Sequence, residues 1–210
     1  EPGVLFWDTI LRESVPDCYA DLGYRTVSTN PCGEIPLCPY DSCRLLAINL
    51  YSYVVNPFKP DAYFDFDLFK KHVALAQRIM DDIIDLELEK IERIMAKIDS
   101  DPENEDVKHT ESVLWQKIYK KSGQGRRTGV GITAEGDMLA ALGLRYGTEE
   151  ATEFAEKVHQ TVALSAYRSS VEMAKERGAF EVYDSEREKS NPFINRLREA
   201  DPELYEEMKK

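Results

Sequence analysis

No apolar run in these 210 residues is long enough to cross a bilayer; the longest, such as the one within 45–49, fall far short of a membrane-spanning helix. Positive charge is also scarce. The 27 Lys and Arg face 39 Asp and Glu, a formal charge of −12, which argues against electrostatic capture of a nucleic-acid backbone. Any nucleotide bound here needs local donors rather than a broad positive field. The opening stretch Glu1-Pro2-Gly3-Val4-Leu5-Phe6-Trp7 has no basic n-region, no cleavage site and no initiator Met. We therefore expect an internal fragment of a longer cytoplasmic protein, with neither nucleic acid nor membrane among its partners.

Metal-ligating patterns are missing as well. Cys18, Cys32, Cys38 and Cys43 all fall within the first 43 residues, no two stand at C-x-x-C spacing, and His72, His109 and His159 lie far from them. That disfavours a structural zinc site, and no metal is expected. A single Glu-x-x-His occurs, Glu156-Lys157-Val158-His159, whereas a di-iron bundle needs one from each of two helices, so that centre is not expected. Without a secretory signal a disulfide framework is disfavoured too. Gly129-x-Gly131 has no third glycine at dinucleotide-binding spacing, and Gly131-x-x-x-x-Gly136 runs into Asp137 rather than Lys. The acid-rich Asp81-Asp82…Asp85…Glu87…Glu89 spreads over more than one helix face and reads as solvated surface. The clustered thiols are then either inert or redox-active.

With 42% hydrophobic and 31% charged residues, the chain can bury a core as one domain or a large piece of one. It divides near residue 64. Residues 1–64 are rich in Pro, Gly, Cys and aromatics and show no sustained helical period. Within them, 44–55 reads as a mostly buried strand ended by Asn56-Pro57. From 65 onward helices dominate. Phe66, Phe69, Val73, Ala76, Met80, Ile83 and Ile84 recur at helical spacing, Ile91, Ile94, Met95 and Ile98 continue the stripe, and Asp65 or Asp67 can cap its start. A break at 99–104 precedes a polar helix over 107–119, a basic turn into a short strand over 126–133, and a helix over 136–142. The clearest helix spans 148–177, capped by Thr148 and stopped by Gly178. A shorter one covers 193–198, and 204–210 is a charged tail.

The informative stretch is Asn30-Pro31-Cys32-Gly33-Glu34, a loop by virtue of Pro31 and Pro36. It sets an amide, a thiol and a carboxylate on alternate residues, and in extended backbone all three can face one ligand. A nucleophilic role fits poorly, because no His stands nearby to take the proton and a flanking carboxylate opposes a second negative charge. Loss of a hydrogen atom needs no thiolate, so radical chemistry fits better. An inert turn cysteine remains the competing reading of the spacing.

Val27-Ser28-Thr29-Asn30-Pro31-Cys32-Gly33-Glu34-Ile35-Pro36-Leu37 and the following Ser42-Cys43-Arg44-Leu45-Leu46-Ala47-Ile48-Asn49-Leu50 resemble the finger loop and next barrel strand of ribonucleotide reductase catalytic subunits, in particular the adenosylcobalamin-dependent (class II) enzymes. Gly125-Arg126-Arg127-Thr128-Gly129-Val130-Gly131-Ile132-Thr133, Ala166-Tyr167-Arg168-Ser169-Ser170-Val171-Glu172 and Asn191-Pro192-Phe193-Ile194-Asn195-Arg196-Leu197 extend the likeness over essentially the whole chain. The resemblance implies an α/β fold: a helix-rich partial segment of the family's ten-stranded barrel, with 1–64 as finger-loop and strand region and 65–210 as helical region. It implies that Cys32 becomes the thiyl radical that takes the substrate's 3′ hydrogen. Glu34 would then accept the 3′-hydroxyl proton, Asn30 hydrogen-bond the ribose hydroxyls, and Cys43 act as one of two reducing thiols. Adenosylcobalamin is the implied cofactor. The implied partners are a ribonucleotide, a dithiol reductant such as thioredoxin, and further barrel segments or a second copy. A class I-type large subunit or a non-catalytic piece of a split enzyme is the alternative. Cys18 and Cys38 match no family role and are expected to be structural. By itself the 210-residue chain is expected to be inactive, since the second reducing cysteine and the phosphate loop are not in it.

Overall fold

In a computed structural model the chain is described over residues 3–13, 15–42 and 44–210. In chain order the elements are helix α1 (Trp7–Glu13), a 3-10 segment (Val15–Leu22) kinked at Tyr19, strands β1 (Ser28–Thr29), β2 (Pro36–Leu37) and β3 (Leu46–Asn49), a 3-10 turn (Leu50–Tyr53), and strands β4 (Val54–Val55) and β5 (Tyr63–Phe64). Helices α2 (Phe66–Ser100) and α3 (Glu105–Gly125), strand β6 (Val130–Thr133), and helices α4 (Glu135–Ala141), α5 (Glu149–Arg177), α6 (Ser185–Glu188), α7 (Pro192–Ala200) and α8 (Pro202–Met208) follow. These form two compact units that interleave along the sequence. The first comprises 1–44, 81–127 and 178–210, the second 45–80 and 128–177. Among the described residues no helix is long and apolar enough to cross a membrane.

The second unit is built on apolar burial. Its strands β3 and β6 pair in parallel, Leu46 opposite Val130 through Asn49 opposite Thr133, while β4 and β5 pair antiparallel. Leu50, Phe69, Val73, Met138 and Val158 are fully buried around them. Each such side chain contributes about 1.5–3 kcal/mol by leaving water. Phe69 meets Tyr53 and Phe64 edge-on at ring separations of 4.9 and 5.2 Å. Asp65 opens α2 by accepting from Leu68 N at 2.9 Å, and Thr148 opens α5 by accepting from Ala151 N at 3.3 Å. Ser169 Oγ donates to Ala74 O at 2.8 Å, fastening α5 to the first half of α2.

The first unit relies more on charge and polar caps. Asn104 caps α3 by accepting from Asp106 N, and the helix ends on Arg126 in the left-handed region (φ 40°). Arg126 then reaches Asp81 and Asp85 at 2.8 and 2.7 Å. Arg44 is ion-paired with Glu87 and donates to Ser122 Oγ at 2.8 Å and Arg127 O at 3.0 Å. Asp184, Asn191 and Asp201 cap α6, α7 and α8.

Several elements differ from the sequence reading. The expected continuous strand over 44–55 is interrupted: Leu50 and Tyr53 are both buried, and their i, i+3 spacing is met by a 3-10 turn that places them on one side. Nor is it mostly buried, since Leu45 is 56% exposed and Ala47 and Asn49 are exposed. The N-terminal region, read without helix, contains α1 and the 3-10 segment. The charged tail is helix α8, because Asp201-Pro202 supplies a cap and a pre-set first turn while Leu204 and Tyr205 are buried. The acidic stretch at 81–89 is not simply solvated: Asp81 and Glu87 are largely covered partners of Arg126 and Arg44.

Candidate functional site

The prolines at 31 and 36 keep the chain out of helix, and β1 and β2 fold back as a hairpin, Ser28 opposite Leu37 and Thr29 opposite Pro36. Val27 N donates to Leu37 O at 2.9 Å to extend its base. The loop at 30–35 is organised by Asn30. Its backbone N donates to Ile35 O at 3.2 Å, its O accepts from Gly33 N at 3.0 Å, and its side-chain Oδ1 accepts from Ile35 N at 3.0 Å. Asn30 is buried, so these bonds form away from competing water. No hydrogen bond among the described residues uses its Nδ2, which leaves a donor for a ligand oxygen.

Cys32 and Glu34 lie on this loop with exposed side chains. Gly33 between them has φ +82°, and a Cβ there would sit 2.9 Å from Leu5 Cδ2. The left-handed backbone favours glycine here, while the exposed Leu5 side chain can move aside. The loop is therefore a turn rather than the extended segment expected from alternation. The three candidate residues share one hairpin turn, with Asn30 at its base and Cys32 and Glu34 near its tip. Cys43 falls outside the described residues.

The other two described cysteines sit in different surroundings. Cys38 is buried in a small cluster with Tyr19 and Tyr24, its Sγ 3.4 Å from Asp41 Oδ2, and burial raises its pKa. Burial, reinforced by the nearby Glu188 carboxylate, pushes Cys18 up to about 12. Both thiols stay neutral near pH 7; Cys32 differs from them in being exposed. Among the described residues no group of three or more His, Cys, Asp and Glu is arranged to hold a metal ion. His72 hydrogen-bonds Tyr53 at 3.0 Å, and His159 lies 3.4 Å from Glu135.

Two arginines that the sequence reading did not single out support this region. Arg127 Nη2 donates to Pro36 O at 2.7 Å, next to the loop, and Arg44 immediately follows Cys43. Neither leaves a periodicity signal, because each acts through partners far away in sequence.

The family model described as "Ribonucleotide reductase, barrel domain" matches residues 1–207. A vitamin B12-dependent ribonucleoside-diphosphate reductase of Thermoplasma acidophilum is 35% identical over 190 residues, 90% of this chain and 21% of that protein. The enzyme of the same description from Mycobacterium tuberculosis is 32% identical over 197 residues, 93% of this chain and 24% of the relative. A ribonucleoside-diphosphate reductase subunit alpha of Chlamydia pneumoniae is 28% identical over 159 residues, 74% of this chain and 12% of its own length. The chain thus spans about a fifth to a quarter of the B12-dependent relatives. With a family match running from the first residue across the thiol hairpin to the last helix, the chain belongs to the ribonucleotide reductase barrel-domain family.

Proposed function

We propose that this chain is part of the catalytic barrel of a class II ribonucleotide reductase, which converts ribonucleotides to deoxyribonucleotides by thiyl-radical chemistry. The observation that carries the reading is the exposed Cys32 near the tip of a hairpin whose backbone is fixed by Asn30. The parallel pair β3 and β6, each with one edge open among the described residues, supports a place in a larger barrel, since parallel sheets are normally extended and covered. Ribonucleoside diphosphates are the substrate class named for the Thermoplasma and Mycobacterium relatives.

In this mechanism Cys32, having lost its S–H hydrogen atom, removes the 3′ hydrogen of the ribose, re-forming S–H and leaving the unpaired electron on C3′. Glu34 takes the 3′-hydroxyl proton, the 2′-hydroxyl leaves as water with a proton from a reducing thiol, and Glu34 returns its proton to the 3′ oxygen as the sugar is reduced. Asn30 Nδ2 holds a ribose hydroxyl in place. Cys43 and a second thiol from outside this chain deliver two electrons and two protons and become a disulfide. Cys32 then returns its hydrogen atom to C3′, and a dithiol reductant of the thioredoxin kind resets the disulfide. Adenosylcobalamin, when bound, would supply the radical chemistry that removes the Cys32 hydrogen atom. An exposed thiol on a fixed loop fits that requirement.

The Chlamydia relative, named without vitamin B12, favours a second reading in which the radical originates on a separate subunit. Turnover that requires added adenosylcobalamin decides for the first. For the thiol itself, Cys32→Ser in the full-length polypeptide should abolish turnover while substrate binding persists, because a hydroxyl O–H is too strong for the same hydrogen exchange. Retention of even about a tenth of wild-type turnover, a loss of only about 1.4 kcal/mol in barrier terms, would refute the assignment.

A further inference from the structure

The hairpin that carries Cys32 and the segment that carries Cys43 are separate stretches of chain, yet both are fastened to Arg127. Its Nη2 donates to Pro36 O at 2.7 Å, on the strand that closes the hairpin. Its Nη1 is ion-paired with Asp41, whose side chain is 8% exposed. Asp41 passes the restraint on: Oδ2 accepts from Cys38 N at 3.3 Å and Oδ1 from Ser42 N at 2.9 Å. From the other side, Arg127 O accepts from Arg44 Nη1 at 3.0 Å, and Arg44 is itself held by Ser122 and Glu87. The strand after Cys32, the residue before Cys43 and the residue after it therefore all lead to Arg127.

We propose that Arg127 is a positioning residue that keeps the Cys32 hairpin and the Cys43 segment in fixed relation to each other. The proposal rests on the reading of these two cysteines as the radical and reducing thiols. Hydrogen abstraction at C3′ and reduction at C2′ act on adjacent carbons of one sugar, so the two thiols must be set to within a fraction of an ångström. A misplacement of about 1 Å costs on the order of a hundredfold in rate. Arginine suits the task because its planar, delocalised charge can donate to a carbonyl and pair with a carboxylate at once, which a compact lysine ammonium does less well. Burial weakens the hold of Arg127 on its proton, opposed in part by the nearby Cys38, Tyr24 and Asp17. The guanidinium remains charged throughout the working pH range.

The test uses the full-length polypeptide with Arg127→Gln, Arg127→Lys and Asp41→Asn. Amide hydrogen exchange is followed by mass spectrometry in peptides covering 26–44 and 149–177, and kcat and KM are measured separately. Arg127→Gln should speed exchange about tenfold or more in 26–44 and leave 149–177 unchanged, the effect of one lost charge-assisted hydrogen bond on local opening. Its kcat should fall about a hundredfold with KM within about threefold of wild type. Arg127→Lys and Asp41→Asn should show the same pattern more weakly. Unchanged exchange in 26–44 for the folded variants would overturn the proposal, as would an equal rise in both peptides or a loss confined to KM. If Arg127→Gln does not fold, wild-type exchange in Arg127→Lys and Asp41→Asn would overturn it equally. Failure of the thiol reading would look different: Cys32→Ser would keep its turnover while the exchange pattern of the Arg127 variants stood.

Discussion

The second unit and the thiol-bearing part of the first are stabilised by different physics. In the second, Phe69, Leu50, Val73 and Met138 pack without exposed surface, and aromatic rings meet edge to face. Around the hairpin, buried or half-buried charges do the corresponding job: Arg44 with Glu87, Arg127 with Asp41, Arg126 with Asp81. Apolar packing is non-directional and tolerates small shifts of one side chain against another. Charge-assisted hydrogen bonds are directional and strongly penalised when one partner is lost. A loop that must present a thiol at a set place gains from the second kind of restraint, and a scaffold gains from the first.

This contrast can be broken by substitution. The largest effect should come from Phe69→Ala, which empties a fully enclosed aromatic site in the second unit. A loss of about 3–5 kcal/mol is expected, measured by denaturant unfolding. Arg44→Met should cost about 3 kcal/mol, because it strands Glu87 and Ser122 and frees the carbonyl of Arg127. The sharper arm is the double variant Arg44→Met with Glu87→Gln. Removing both charges should cost clearly less than the two single losses combined, whereas additive losses would mean that the pair is not coupled.

A smaller effect is expected at Tyr19, whose hydroxyl donates to Glu188 Oε1 at 2.6 Å in a buried site and accepts from Asp184 N at 3.2 Å. Tyr19→Phe should cost about 1–2 kcal/mol. The same site gives a pH signature. Burial first, then Glu188, raises the folded-state pKa of Tyr19 above its ordinary value of 10.0, and Cys18 is raised from 9.0 to about 12. Near pH 7 both groups are protonated whether the chain is folded or not, so their contribution is fully present. Above about pH 9 the unfolded chain sheds protons that the folded chain keeps, and stability should fall as pH rises. Tyr19→Phe should flatten the part of that decline near pH 10. An unchanged slope would show that Tyr19 titrates alike in both states.

How much of this was legible in the sequence follows the same divide. Helices α2 and α5 were readable because Phe69, Val73, Ala76 and Met80, or Ala151 and Val158, repeat at helical spacing behind recognisable caps. The thiol loop was readable as a loop because Pro31 and Pro36 exclude helix, and its residues carried the family likeness. Its shape was not, since the left-handed Gly33 and the bonds of Asn30 across the loop depend on residues that spacing does not single out. The run at 44–55 hid its 3-10 turn because a nearly continuous apolar stretch has no readable period. Helix α8 was obscured by charge around Leu204 and Tyr205. The arginine brace left no periodicity signal, because Arg127 meets Pro36 and Asp41 only in the folded chain.

The central claim is that Cys32 takes a hydrogen atom from the substrate and Cys43 supplies reducing equivalents afterwards. The most direct measurement follows the loss of isotope from C3′-labelled ribonucleotide in the full-length polypeptide, alongside deoxyribonucleotide formation with a dithiol reductant, for Cys32→Ser and Cys43→Ser. The account predicts that Cys43→Ser still releases the 3′ label but sustains no repeated product formation, and that Cys32→Ser does neither. Release of label by Cys32→Ser, or steady deoxyribonucleotide production by Cys43→Ser, would contradict it.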